Sequence, residues 1–163
     1  MSVLPLVFYP DARLAQPCEA VGDEDLTALI ADMFDTMYAA PGRGLAGPQI
    51  GVMKRVFVMD CMWKEGDKTP MAFLNPEIIA SGAQTEIVDE GCLSIPGLMV
   101  PVVRPTEITV RWKDVGGATK NHNFDGFEAR CIQHEMDHLE GRVTLDHLSD
   151  VDRADILKGY NTL

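Results

Sequence analysis

The chain has few cysteines, few basic residues and no long apolar run, and each shortage excludes something. Its 163 residues include only four cysteines, Cys18, Cys61, Cys92 and Cys131, too scattered to read as a disulfide framework. A reduced compartment, the cytoplasm, is the expected location, and a cysteine there is free to ligate metal. Lysine and arginine total 14 against 25 acidic residues, a net charge of −11. Sequence-independent binding to DNA needs clustered cations and is not expected, although a local patch docking on a ribonucleoprotein is compatible with this charge. No apolar stretch approaches the roughly 20 residues of a membrane span. The opening MSVLPLVFYPDARL has neither a basic n-region nor a small-residue cleavage site, so no signal peptide is expected. Repeats, low-complexity tracts and linkers are also lacking. A single domain over 1–163 is expected, with 46% hydrophobic and 24% charged residues supplying an ordinary globular balance.

What is present patterns clearly. Asp23, Glu24 and Asp25 are acidic signals for a helix start, and Leu26, Leu29, Ile30, Met33 and Met37 follow at helical spacing until Pro41 and Gly42. GRGLAGPQIG (42–51) reads as an irregular glycine-rich segment. RVFVM (55–59), MAFLN (71–75) and EIIAS (77–81) read as short strands, and TEITVRW (106–112) alternates as a half-buried strand before the turn KDVGGATK. Asp125 and Gly126 precede a helix that Gly141 ends, and Ser149 with Asp152 begins a last short one. This order predicts an α+β fold, mainly antiparallel sheets packed around a central helix.

That central helix carries CIQHEMDHLEG (131–141). Residues four apart lie one turn above each other, so His134 and His138 share a face, with Glu135 at its edge. Two histidines and an adjacent carboxylate suit a hydrolytic metal site, which needs a third ligand. Cys131 lies on a similar face, but the ion would sit about 7.5 Å further along the axis, beyond a cysteine's reach. The metzincin pattern HExxHxxGxxH fails at Thr144, and only 25 residues follow His138. Cys92, in DEGCLSIPG (89–97), sits at the start of a strand or in a tight loop. It either completes a Cys–His–His set with one coordination position open or is an inert buried thiol; its own context leaves both readings standing.

Three stretches taken together, GRGLAGPQ (42–49), EGCLS (90–94) and QHEMDH (133–138), resemble the signature motifs of the peptide deformylases in order and separation. YPDARL, LNPEI and HLEGRV extend the resemblance to about residue 150. It implies removal of the formyl group from the N-terminal formyl-methionine of newly made proteins. It also implies Cys92, His134 and His138 as metal ligands, and Glu135 as general acid/base. The side-chain amide of Gln49 and the backbone N–H of Leu93 would be the donors to the developing oxyanion. Gly44 and Leu45 would lie close enough to pair with the substrate backbone. The implied ion is Fe²⁺, with Zn²⁺, Ni²⁺ or Co²⁺ able to substitute; the implied partners are N-formylated nascent peptides.

The sequence also departs from the family pattern. GxGLAAxQ usually has an apolar residue at x and a second alanine, where this chain has Arg43 and Gly47. Arg130, one turn before His134, replaces the usual aliphatic wall of the methionine pocket, near Phe127. Either both arginines snorkel to the rim, or the enzyme is a deformylase-like amidase with an altered first-residue or acyl preference, polar or acidic. Met99 stands where many members carry a basic residue. After Ser149 comes only DVDRADILKGYNTL, short and mixed in charge, so contact with the ribosome is expected to be transient and weak.

Overall fold

A computed structural model of the chain describes residues 2–160. Among them are α1 (Thr27–Ala39), β1 (Gly44–Ala46), β2 (Val56–Met59), β3 (Met71–Ser81), β4 (Thr85–Cys92), β5 (Ile95–Pro105), β6 (Glu107–Lys113), β7 (Thr119–Asp125), α2 (Gly126–Leu139) and α3 (Asp150–Leu157). These strands pair antiparallel throughout. One sheet has the order β1-β2-β3-β6-β7, and β4 and β5 form a separate two-stranded sheet. Helix α2 packs between them, which is the α+β arrangement expected from the sequence.

The helical period sorts the residues of α2. Ala129, Ile132, Met136 and Leu139 recur on one face and enter an aromatic core with Phe57, Phe73, Trp112 and Phe124 of the five-stranded sheet. Arg130 and His134, one turn apart, face the β4–β5 hairpin instead. Alternation along β1 and β2 does the same for the sheet. Ala46, Phe57 and Met59 turn to the core beneath α2, whereas Leu45, Val56 and Val58 turn to Ile30, Met33 and Met37 of α1. The Met and Leu stripe of α1 is therefore core packing, each fully buried side chain contributing about 1.5–3 kcal/mol.

Three local expectations are corrected. MAFLN and EIIAS are one strand, not two: β3 runs through Asn75–Pro76 with shifts of register against β6 between Leu74 and Glu77 and again between Ile78 and Ala80. Asn75 adopts φ 48°, and its side chain bonds both the N–H and the carbonyl of Val21, so a residue that looks like a break is a tether. The segment read as irregular contains β1, paired with β2, and a 3₁₀ turn over Gly47–Ile50. Cys92 lies at the end of β4, where a register shift leads into the hairpin turn, not at the start of a strand. Three strands, β4, β5 and β7, are not expected from the sequence; β7 has Phe124 as its only buried side chain, and an edge strand of polar residues shows no apolar alternation.

Candidate metal and catalytic centre

The β4–β5 turn brings Cys92 against the His134–His138 face of α2. Cys92 Sγ is 3.5 Å from His138 Nε2, and one donor atom from each of Cys92, His134 and His138 lies within 4.8 Å of the others. Tetrahedral coordination at about 2.0–2.3 Å places donors roughly 3.3–3.8 Å apart, so this spacing suits one cation. The group numbers three donors among the described residues, which leaves a coordination position. Burial pushes the Cys92 thiol up, but His138 and His134 outweigh it and bring its pKa down to about 5. Neutral pH thus finds the thiolate, the form that binds metal. Burial depresses the His134 imidazolium, yet Cys92 and Glu90 hold its pKa well above the ordinary value. The extra proton of the His134 imidazolium gives way when a cation binds. The site's donor chemistry, spacing and charge fit a divalent metal.

Glu135 lies beside this group. Burial raises its pKa, against the pull of His134 and His138. Its Oε1 is buried with no hydrogen-bond partner among the described residues, so it is available to a water or substrate proton. Its other oxygen lies against Gly44, where an added Cβ would come within 2.5 Å. Gln49 is oriented from both ends: Oε1 accepts the Ala46 N–H at 2.9 Å, while Nε2 donates to Ser94 Oγ at 3.1 Å and points to Cys92 Sγ at 3.7 Å. Leu93 follows Cys92 in the turn, and its side chain fills the space over Gly42, whose Cβ would meet it at 2.6 Å. Cys131 is not in the donor group. Its thiol points to the Arg43 carbonyl, and contact with Cys61 and burial keep it protonated.

Behind the donors lies a charged network that sequence reading did not identify. Glu90 accepts from His134 Nδ1 at 2.9 Å, from Arg104 Nε and Nη2 at 2.6 and 2.9 Å, and from Arg130 Nη1 at 2.6 Å. Burial alone would raise its pKa, but Arg104 and His134 hold it far below the carboxylate range. A carboxylate only accepts, so Nδ1 of His134 carries the proton and Nε2 presents its lone pair to the centre. Arg104 also reaches Asp137 at 3.0 Å, and Asp137 accepts from His147 Nε2 at 2.7 Å. The one signal in the sequence was a charged residue, Arg104, inside the otherwise apolar VPVVRP.

A cleft of ≈ 920 Å³ opens onto the site, with Arg43, Val88, Phe127, Arg130 and Cys131 among its lining. Arg43 behaves as a rim residue. It pairs with both oxygens of Glu65 at 3.0 Å, donates to the Cys61 carbonyl and stacks 5.3 Å from the centroid of half-exposed Phe127. Arg130 does not snorkel to the rim; its side chain is 11% exposed and its head is turned into the Glu90 network.

The profile of the polypeptide deformylase family matches residues 3–154. The peptide deformylase of Zymomonas mobilis is 43% identical, with 97% of this chain and 93% of that protein covered. That of Rhizorhabdus wittichii is 45% identical at the same coverage. A solved peptide deformylase from Ehrlichia chaffeensis in complex with actinonin superposes with a TM-score of 0.90 at 40% identity, covering 97% of this chain and 95% of that one. One from Legionella pneumophila gives 0.89 at 40%, covering 96% and 92%.

Proposed function

The chain belongs to the polypeptide deformylase family, and on that premise we propose that it hydrolyses the formamide of N-terminal formyl-methionine on nascent peptides, releasing formate. The observation that carries this is the convergence of Cys92, His134 and His138 beside a buried carboxylate with an uncommitted oxygen. A divalent cation held by those three residues would supply Lewis acidity and make water ionisable near neutral pH. The remaining steps belong to the protein. Glu135 accepts the proton of the attacking water and delivers it to the departing amine; its raised pKa suits a group that must both take and give. The Gln49 amide and the Leu93 N–H donate to the oxygen as the formyl carbon becomes tetrahedral. Gly44 and Leu45 lie on β1, the outermost strand of its sheet, whose free edge suits pairing with an extended peptide. Fe²⁺ is the proposed physiological ion; a mixed thiolate and imidazole shell also accepts Zn²⁺, Ni²⁺ or Co²⁺.

The reading of an acidic first-residue preference loses its motive. Arg43 is engaged by Glu65 and Arg130 by Glu90, so neither offers a free cation to a substrate carboxylate. What the cleft meets are side-chain stems, Phe127 and Val88, surfaces suited to a thioether. Formate release from formyl-Met and formyl-Glu peptides by iron-loaded protein tests this. Formyl-Met is expected to be turned over in strong preference; equal or reversed turnover would refute the assignment.

We further propose one catalytic domain over 1–163, supported by α2 packing on both sheets. Cytoplasmic residence is supported by four free cysteines; no described helix is long and apolar enough to cross a membrane. Ribosome contact is proposed to be weak, because Asp150, Asp152 and Asp155 dominate α3, and Arg153 and Lys158 are paired with Asp146 and Asp155. Co-sedimentation at low salt checks this.

A further inference from the structure

We propose that Arg130 is a positioning residue for the metal centre: it completes the hold on Glu90 and, through Glu90, fixes the ring of His134. This rests on reading Cys92, His134 and His138 as the ligands. Each oxygen of Glu90 receives two donors. Arg104 lays its fork along one edge of the carboxylate, Nε to Oε2 and Nη2 to Oε1. One acceptor direction then remains on each oxygen. Oε1 takes the His134 Nδ1–H at 2.9 Å, and Oε2 takes Arg130 Nη1 at 2.6 Å. Arg130 is itself immobilised, with Nη1 3.0 Å from the Val102 carbonyl and Nη2 2.8 Å from that of Glu86. Its guanidinium thus grips both strands of the hairpin that carries Cys92. One helix supplies the ligand, and one turn earlier the cation that steadies the ligand's partner.

Charge balance makes this more than packing. Arg104 also serves Asp137, so one buried and one partly buried carboxylate face two guanidiniums. Without Arg130, Glu90 would depend on Arg104, which it shares with Asp137, itself also paired with His147, and Oε2 of a side chain only 6% exposed would keep one unmet acceptor direction. A buried carboxylate in that state turns toward any donor or water within reach. The His134 Nδ1–H follows it, and the lone pair of Nε2 is no longer aimed at the ion. Hydrogen-bond partners behind ligand histidines control metal affinity through this orientation.

The test uses the full chain loaded with Co²⁺, whose visible absorption reports ligand geometry, together with the rate of Co²⁺ loss to a chelator. Arg130→Met keeps the stem in the cleft wall and removes the head. It is expected to alter the Co²⁺ bands and to speed metal loss by about tenfold or more. With a formyl-Met peptide, kcat should fall while KM stays near the wild-type value. Arg130→Lys retains one donor to Glu90 and should recover most of both properties; Arg130→Gln serves if the Met variant fails to fold. In a Glu90→Gln background, Arg130→Met should add little, since the effect travels through that carboxylate. Unchanged bands and loss rate in Arg130→Met, or effects additive with Glu90→Gln, would overturn the proposal. A wild-type chain that takes up no Co²⁺ would overturn the ligand reading itself. Intact Co²⁺ bands without formate release would count against the deformylase reading and leave the role of Arg130 standing.

Discussion

Glu135 keeps one buried oxygen without a protein partner while its other oxygen lies against the bare α-carbon of Gly44. Removing its charge should therefore stop chemistry without removing the metal. Glu135→Gln is expected to lower formate release by about 10²–10⁴-fold with metal content unchanged, measured by elemental analysis of the same preparation. Glu90 makes a different contribution. Its folded pKa is depressed from the ordinary 4.5, so the unfolded chain binds its proton first on acidification. The stability it contributes is present above about pH 4.5 and is lost as pH falls toward the folded value. Glu90→Gln should be less stable than wild type at pH 7, and the gap should narrow between pH 5 and pH 3. Urea melts of the chelator-treated proteins across that range check the sign. Glu135 was legible from its place between two histidines four apart. Glu90 was not: its role depends on Arg104 and Arg130, which lie 14 and 40 residues away.

The stretch from β1 into the Gly47–Ile50 turn shows how a short element departs from its family's habit for a steric reason. Members of the family usually carry alanine where this chain has Gly47. Here a Cβ at 47 would stand 2.5 Å from the Val52 carbonyl and 2.9 Å from that of Lys54, both backbone atoms. The turn would have to open to admit it. Gly47→Ala is expected to destabilise the protein by about 1–3 kcal/mol even though it restores the common residue, as read from urea melts. It should also weaken turnover, because Gln49 is held in that turn by the Ala46 N–H. Element types followed from pattern for α1, α2, β2 and β6, where apolar residues recur at a period the backbone imposes. Pattern failed where apolar alternation is short, absent or interrupted: β1 is three residues with a glycine, β4 and β7 are exposed along most of their length, and β3 and β5 continue through prolines.

At the scale of the whole molecule, the centre lies where three parts meet: the GRGL segment beside Glu135, the β4–β5 hairpin with Cys92, and α2 with both histidines. A cation bound there joins the hairpin to the helix, so it should stabilise the fold as well as enable the reaction. Binding at 1,000 times Kd adds about 4 kcal/mol, which for a chain of this size corresponds to a rise in Tm of roughly ten degrees. Chelator treatment should lower Tm by about that amount and abolish formate release, and re-addition of Fe²⁺ under anaerobic conditions should restore both. Cys92→Ser is expected to show the lower Tm with or without chelator. Scanning calorimetry reads each case directly.

Sequence by itself determined the period of the elements, the spacing of His134 and His138 on one face, and the three motifs that mark the family. Those properties are local: a helical turn or an ordered motif is complete within a few residues. Only the tertiary structure decided that the Cys92 sulfur reaches the histidine rings, that Arg43 is engaged at the rim by Glu65, and that Arg130 turns inward to Glu90. Each of these depends on which residues the packing of the hairpin against α2 brings within hydrogen-bond distance. A charge in a sequence carries its sign but not its partner, and the partner sets whether it reads substrate or steadies a ligand.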